Sequence, residues 1–274
     1  MRTQAAQSVE FLQWVLPCLG LRWLGFRRVR RQVIKRIARR IETLQLPDFD
    51  AYRRYLKSHQ QEWPLLDGFC RITISRFYRD RPIFDILAQE GLPELVDLCR
   101  SRSGRRLLCW SAGCGAGEEA YTLVLIWVLH LALQAPDIFL SVVATDADAA
   151  QISRAQNGCY ARSTLKELPP SWRDIAFSEA AGRYCIKPEY RQTVKWGVQD
   201  LRNAIPEGRF DLILCRNLAF TYFSTDLQRQ TLHRLATAML PGGLLVLGAH
   251  EVLPESSWKW TLWRPGLPIY RKRG

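Results

Sequence analysis

Two rhythms of apolar positions divide the chain. Between Phe26 and Leu44 the residues Phe26, Val29, Val33, Ile34, Ile37, Ile41 and Leu44 recur at helical spacing, on one face. Pro47-Asp48 breaks that pattern, and Asp50–Gln60 and Glu62–Phe69 predict two further helices. Residues 1–70 therefore predict an all-helical part. From Leu107 the rhythm changes. Short apolar runs at Leu107–Trp110, Phe139–Thr145, Thr193–Val198, Phe210–Cys215 and Leu244–Gly248 predict buried strands. Glu119–Leu133, Ala149–Asn157 and Asp226–Met239 predict the helices between them. Trp258–Trp263 and Ile269–Lys272, parted by Pro265-Gly-Leu-Pro, predict a closing antiparallel hairpin. Strands alternating with helices predict an α/β fold with a doubly wound parallel sheet. Tyr160–Gln192 fits neither rhythm and predicts a small insertion on the sheet. The expected organisation is a helical domain over 1–70, a linker and first helix over 71–105, and a sheet domain over 106–274.

Composition narrows the class. At 274 residues with 47% hydrophobic content, the chain can bury a sizeable core. No apolar run reaches the roughly 20 residues of a membrane span, and the start has no basic segment or small-residue cleavage site of a signal peptide. The eight cysteines lack any C-x-x-C pair, so reduced, mostly buried thiols in a cytoplasmic protein are expected. The four histidines show no metal-ligand spacing, and no metal is expected. The net charge is +13, and nine of those charges fall in residues 1–80. Arg22 to Arg40 holds nine basic residues and no acid. Such a face is either a solvated helix surface or a docking surface for an acidic partner.

The candidate chemistry lies at the ends of the expected strands. Gly113, Gly115 and Gly117 follow the first strand and precede Glu118-Glu119. Glycine serves where the backbone needs positive φ or passes close to a ligand, and the strand-to-helix turn of an open sheet is a nucleotide site. A plain β-α turn is the alternative reading. Two carboxylates at the helix entrance would repel a phosphate and suit a cationic or hydroxyl-bearing ligand, of which S-adenosylmethionine is both. Asp146 and Asp148 end the second strand. Asp146 could accept ribose hydroxyls or cap the following helix, and Asp148 fits the cap better. Asp200-Leu201 and Cys215-Arg216-Asn217 place polar groups at the third and fourth strand ends. Thr73-Ile-Ser75-Arg-Phe-Tyr-Arg79-Asp80 packs hydroxyls, aromatics and arginines into the segment joining the two parts.

These anchors, taken in order, resemble the CheR-type chemotaxis receptor methyltransferases. They are Arg36-Ile-Ala-Arg-Arg-Ile, Ile74-Ser-Arg-Phe-Tyr-Arg-Asp, Trp110-Ser-Ala-Gly-Cys-Gly-Ala-Gly-Glu-Glu-Ala-Tyr, Ala144-Thr-Asp-Ala-Asp, Asn157-Gly-Cys-Tyr, Phe210-Asp-Leu-Ile-Leu-Cys-Arg-Asn and Pro241-Gly-Gly. The resemblance spans about Phe11 to Arg273. It implies a class I S-adenosylmethionine-dependent methyltransferase sheet with an N-terminal helical domain and a small β-subdomain. It further implies methyl transfer to glutamate carboxylates of a chemoreceptor-like protein. Cofactor residues carry over to Thr73, Ser75, Arg79, Gly113, Gly115, Glu119, Asp146, Asp200, Leu201, Arg216 and Asn217. Arg79 is expected beside the transferred methyl, and Tyr222 is the second expected catalytic residue. Arg28, Lys35, Arg36, Arg39 and Arg40 are expected to dock the acidic helical cytoplasmic region of the receptor. The chain departs from the family at Thr73 and Asp200, where asparagine is usual, and has four residues rather than three between Asn217 and Tyr222. Its insertion looks shorter than the pentapeptide-binding versions, so a pentapeptide-independent enzyme is expected. The rival readings are a nucleic-acid methyltransferase of the same fold and a non-catalytic cofactor-binding protein. Against the first, Cys215-Arg-Asn-Leu lacks the Asn/Asp-Pro-Pro-aromatic element of base methylation, so no nucleic acid is expected.

Overall fold

A computed structural model describes residues 4–254 and 259–274. The chain forms two compact units, one of residues 1–73 with 221–228, the other of residues 74–220 with 229–274.

The first unit is helical: α1 (Gln4–Cys18), α2 (Trp23–Phe26), α3 (Arg30–Thr43), α4 (Phe49–Ser58) and α5 (Trp63–Phe69). Val33, Ile37 and Ile41 recur every fourth residue of α3 and are buried, as the apolar stripe requires. Phe11 packs between Phe49 and Tyr52, with ring centroids 5.5 and 5.7 Å away. Asp48 caps α4 by accepting the Ala51 N–H at 2.8 Å. The expected continuous helix from Phe26 is interrupted at residues 27–29. Residues 22–25 fold tightly against the returning 221–222 strap of the same unit: a Cβ on Gly25 would lie 2.2 Å from the Thr221 carbonyl oxygen. Pairing with that strap wins over the local helical periodicity.

In the second unit, α6 (Arg81–Ile86) and α7 (Leu92–Ser101) are joined by a π-helical turn at Leu87–Gly91. Pro93 at the start of α7 cannot donate an N–H, which fits a widened turn just before it. Then come β1 (Arg106–Ala112), α8 (Glu118–Ile126), β2 (Phe139–Asp146), α9 (Ala149–Asn157), β3 (Cys159–Tyr160), α10 (Pro170–Ala176), β4 (Phe177–Ala180), β5 (Arg183–Ile186), α11 (Pro188–Arg191), β6 (Val194–Val198), β7 (Phe210–Leu214), α12 (Ala219–Tyr222), α13 (Thr225–Ala238), β8 (Met239–Val246), β9 (Trp260–Leu262) and β10 (Ile269–Lys272). The main sheet has the order β6-β2-β1-β7-β8-β10-β9. β6, β2, β1, β7 and β8 are parallel, and β10 lies antiparallel between β8 and β9. The central β7 is buried at every position, as expected for a strand covered on both faces. The strand order reverses between β1 and β7, so the carboxyl ends of β1, β2 and β7 meet at one edge, where such sheets bind ligands. Each strand expected from the apolar runs is present; Trp258, the expected start of the hairpin, lies outside the described residues.

The insertion forms a separate antiparallel sheet, β3-β5-β4. One expectation fails there. Cys159 and Cys185 are directly opposed across β3 and β5, their Cα atoms 3.9 Å apart, and form a disulfide. The thiols read as uniformly reduced are therefore six; five of these are buried and Cys18 is exposed. A separation of 26 residues gives no local motif, so only the strand register reveals the pair.

Candidate active site

The turn after β1 is built from backbone. Gly113, Gly115 and Gly117 all take positive φ, at 77°, 56° and 90°. Gly117 cannot be replaced without strain: a Cβ there would lie 2.7 Å from the Trp196 ring and 2.9 Å from Ala155. The N–H groups of Gly113 and Cys114 donate to the Thr145 carbonyl at 2.8 and 3.0 Å, tying the turn to the end of β2.

Asp146 stands at that strand end. Its Oδ2 accepts the Gly115 N–H and its Oδ1 the Asp148 N–H, both at 2.9 Å. The carboxylate is thereby held against the glycine turn. Asp148 caps α9 through the Ala150 N–H at 2.9 Å, so the cap falls to Asp148. Tyr160 supports the turn from the small sheet: its buried hydroxyl donates to the Ala116 carbonyl at 2.7 Å.

The first turn of α8 carries both acids. Glu119 accepts from the Ser111 hydroxyl and from Arg216 Nη1, each at 2.8 Å. Glu118 is buried, and one of its oxygens has no hydrogen-bond partner. Burial pushes its carboxyl above the usual range, opposed by a hydrogen bond from Ser75 and by the charge of Arg154.

Arg216 lies at the centre. Its side chain is 2% exposed. Nη1 reaches Glu119, while Nη2 donates to Asp80 Oδ2 and to the Arg79 carbonyl, both at 2.8 Å. The guanidinium carbon sits 4.8 Å from the Phe84 ring centroid. Each of these partners belongs to the protein, so Arg216 acts here as the cation that joins three segments. The segment it holds is unusual. Tyr78 and Asp80 take left-handed φ of 58° and 62°, and so does Asn217 at 54°. Such conformations cost free energy in non-glycine residues and concentrate at functional sites. Arg79 is pinned between Tyr78, whose N–H donates to Thr122 Oγ1 at 3.0 Å, and Asp80. Its own Nη1 donates to the Ile74 carbonyl at 2.5 Å.

Thus Ser75, Arg79, Gly113, Gly115, Glu119, Asp146, Arg216 and Asn217 belong to one unit, at or beside the carboxyl edge of its sheet. Leu201 is buried in the same unit, and Asp200 pairs with Arg202 at 2.7 Å while accepting the Arg202 N–H. Thr73 and Tyr222 belong to the helical unit. There the Tyr222 ring packs 5.0 Å from Phe26, and its carbonyl accepts the Arg22 N–H at 2.8 Å. The basic set expected to dock a substrate divides by surroundings. Arg28, Lys35 and Arg39 are exposed. Arg40 instead forms a two-pronged pair with Glu62, both contacts 2.8 Å, and Arg36 donates to the carbonyls of Phe69 and Arg71. Both have internal partners that i, i+4 spacing cannot disclose. Sequence reasoning also left Asp80, Tyr160 and Glu251 without roles. Asp80 stands immediately before Arg81-Pro82 and the start of α6, a local signal for a special position.

The donor set suits S-adenosylmethionine. The carboxylates of Asp146 and Glu119 and the backbone turn match an ammonium, a sulfonium and a ribose diol better than a phosphate. The sheet, with its antiparallel β10, and this edge together define a class I S-adenosylmethionine-dependent methyltransferase.

Comparison with known proteins specifies the family. The model of the CheR methyltransferase S-adenosylmethionine-binding domain matches residues 73–263, and that of the CheR all-alpha domain matches residues 29–66. The chain belongs to the CheR methyltransferase family. A chemotaxis protein methyltransferase of Listeria innocua is 32% identical over 203 residues, covering 73% of this chain and 74% of that one. One from Vibrio anguillarum is 34% identical over 202 residues, covering 71% and 70%. An uncharacterised 104.1 kDa protein of Rhodobacter capsulatus is 34% identical over 223 residues; these are 81% of this chain but only 23% of that protein. No described helix is long and apolar enough to cross a membrane, and among the described residues no cluster of His, Cys, Asp and Glu could hold a metal ion.

Proposed function

We propose that this methyltransferase esterifies glutamate side chains on the acidic helical cytoplasmic region of a chemoreceptor-like signalling protein, independently of any C-terminal pentapeptide tether. The observation that carries this reading is the frame around Arg79, held by Arg216 to Glu119 and Asp80 at the sheet edge. Bound S-adenosylmethionine supplies an electrophilic methyl carbon on a cationic sulfur. Asp146 suits its ribose hydroxyls, Glu119 and the glycine turn its charged end, and Asp200-Leu201 its base.

A glutamate side chain has a pKa of about 4.3, so at neutral pH it is already a carboxylate. No general base is required, and the protein contributes alignment, which can supply up to about 7–11 kcal/mol. Arg79 provides a forked cation that can orient the acceptor carboxylate. Arg28, Lys35 and Arg39 supply steering for an acidic helix that weakens as salt rises. The names of the Listeria and Vibrio relatives support a chemotaxis role, and a cytoplasmic location goes with that reading.

The test is transfer of labelled methyl from S-adenosylmethionine to an acidic receptor cytoplasmic fragment, followed by mild base. Release of the label as methanol identifies a carboxyl methyl ester. A label that resists base rejects the glutamate assignment, and cofactor binding without transfer favours the non-catalytic reading.

A further inference from the structure

Glu251 belongs to none of the motifs above, and its position is specific. The paired ladder of β7 and β8 ends at Leu214 opposite Val246, with one more bond from the Cys215 N–H to the Val246 carbonyl. Beyond it, the N–H groups of Asn217 and Gly248 need another acceptor. Glu251, on the loop after β8, provides it: Oε2 accepts both N–H groups, each at 2.7 Å. The residue is 4% exposed. Burying a carboxylate is costly unless charge-assisted hydrogen bonds compensate it, so this position has a use beyond filling space. Asn217 is the residue held in the left-handed conformation, and its amide lies against Gly248, where a Cβ would sit 2.7 Å from the Asn217 side-chain oxygen. One carboxylate oxygen therefore fixes the carboxyl ends of two adjacent strands and the backbone from which Asn217 projects.

We propose that Glu251 is a positioning residue of the cofactor site. It sets the left-handed backbone of Asn217 and so aims that side chain at the cofactor. This rests on the reading above that Asn217 contacts S-adenosylmethionine. The acceptor oxygen matters rather than the charge. A glutamine oxygen has two lone pairs and can take both N–H groups, whereas an aspartate keeps the charge but is one methylene too short.

Calorimetric binding of S-adenosylhomocysteine to the full chain tests this with Glu251→Ala, Glu251→Asp, Glu251→Gln, Asn217→Gly and the Glu251→Ala/Asn217→Gly pair. Glycine keeps the left-handed backbone accessible while removing the amide. The expected result is a loss of about tenfold or more for Ala and Asp, the scale on which supporting residues act. The Gln variant stays within about threefold, and the double variant binds no more weakly than the weaker single one. The proposal is overturned if Ala and Asp bind as the parent does, if Gln loses as much as Ala, or if the two losses multiply. An inert Asn217→Gly rejects the cofactor reading of Asn217; a weakened Glu251→Ala beside it shows Glu251 acting by another route and also overturns the proposal.

Discussion

Replacing Arg216 with methionine is the most demanding perturbation this architecture offers. Methionine keeps much of the apolar stem and its packing on Phe84, and removes the charge. Glu119 and Asp80 then lose their shared cation, with side chains only 12% and 26% exposed. Removing one partner from a buried ion pair costs about 3–5 kcal/mol, because the remaining charge stays desolvated. Asp80 is the wetter of the two, so Glu119 contributes the larger share. At about 2–4 °C per kcal/mol for a domain of this size, the melting temperature should fall by roughly 6–20 °C. Glu119→Gln alone should cost only about 1–2 kcal/mol, since Arg216 keeps Asp80 and the Arg79 carbonyl. The decisive measurement is the double variant by differential scanning calorimetry. Neutralising Glu119 in the Arg216→Met background removes the stranded charge, so the double variant should melt above Arg216→Met alone. A fall below about 2 °C for the single variant, or strictly additive losses in the pair, would refute the argument that Arg216 joins these segments electrostatically.

Other expectations follow from the same structure. Gly117→Ala meets Trp196 and Ala155 and demands a left-handed alanine; it should destabilise by about 2 kcal/mol or more and weaken S-adenosylhomocysteine binding, both measurable on one sample. Arg40 holds the Glu62 carboxyl below its usual range, helped by the Tyr52 hydroxyl and opposed by burial. The unfolded chain thus binds the proton more readily, so this pair stabilises the helical unit above about pH 4.3 and the gain is lost as pH falls through the lower folded value. Urea titrations across that window should show the slope in the parent and a flatter one in Glu62→Gln. Arg79→Ala should lower methyl transfer at least about a hundredfold while leaving S-adenosylhomocysteine affinity within about threefold; unchanged turnover would reject its role. Reversing Arg28, Lys35 and Arg39 to glutamate should slow association with an acidic helical fragment and flatten its salt dependence, whereas equal salt sensitivity in parent and variant would eliminate this surface.

The apolar periodicity alone determined the strands of the main sheet, the helices between them and the helical character of the first 70 residues, because burial on one or two faces writes itself into spacing. The glycines after β1 and the acids at the strand ends were equally plain, since a turn that needs positive φ and a polar strand terminus are local requirements. Partners distant in the chain were not. Arg216 meets Asp80 across 136 residues, Glu251 reaches Asn217 across 34, and Cys159 finds Cys185 across 26. Arg36 and Arg40 read as surface cations because their spacing is that of an exposed helix face, yet folding gives them carbonyls and a carboxylate. Spacing records which face of an element is buried; which polar groups then meet is set by how the elements pack, and only the tertiary structure decides that.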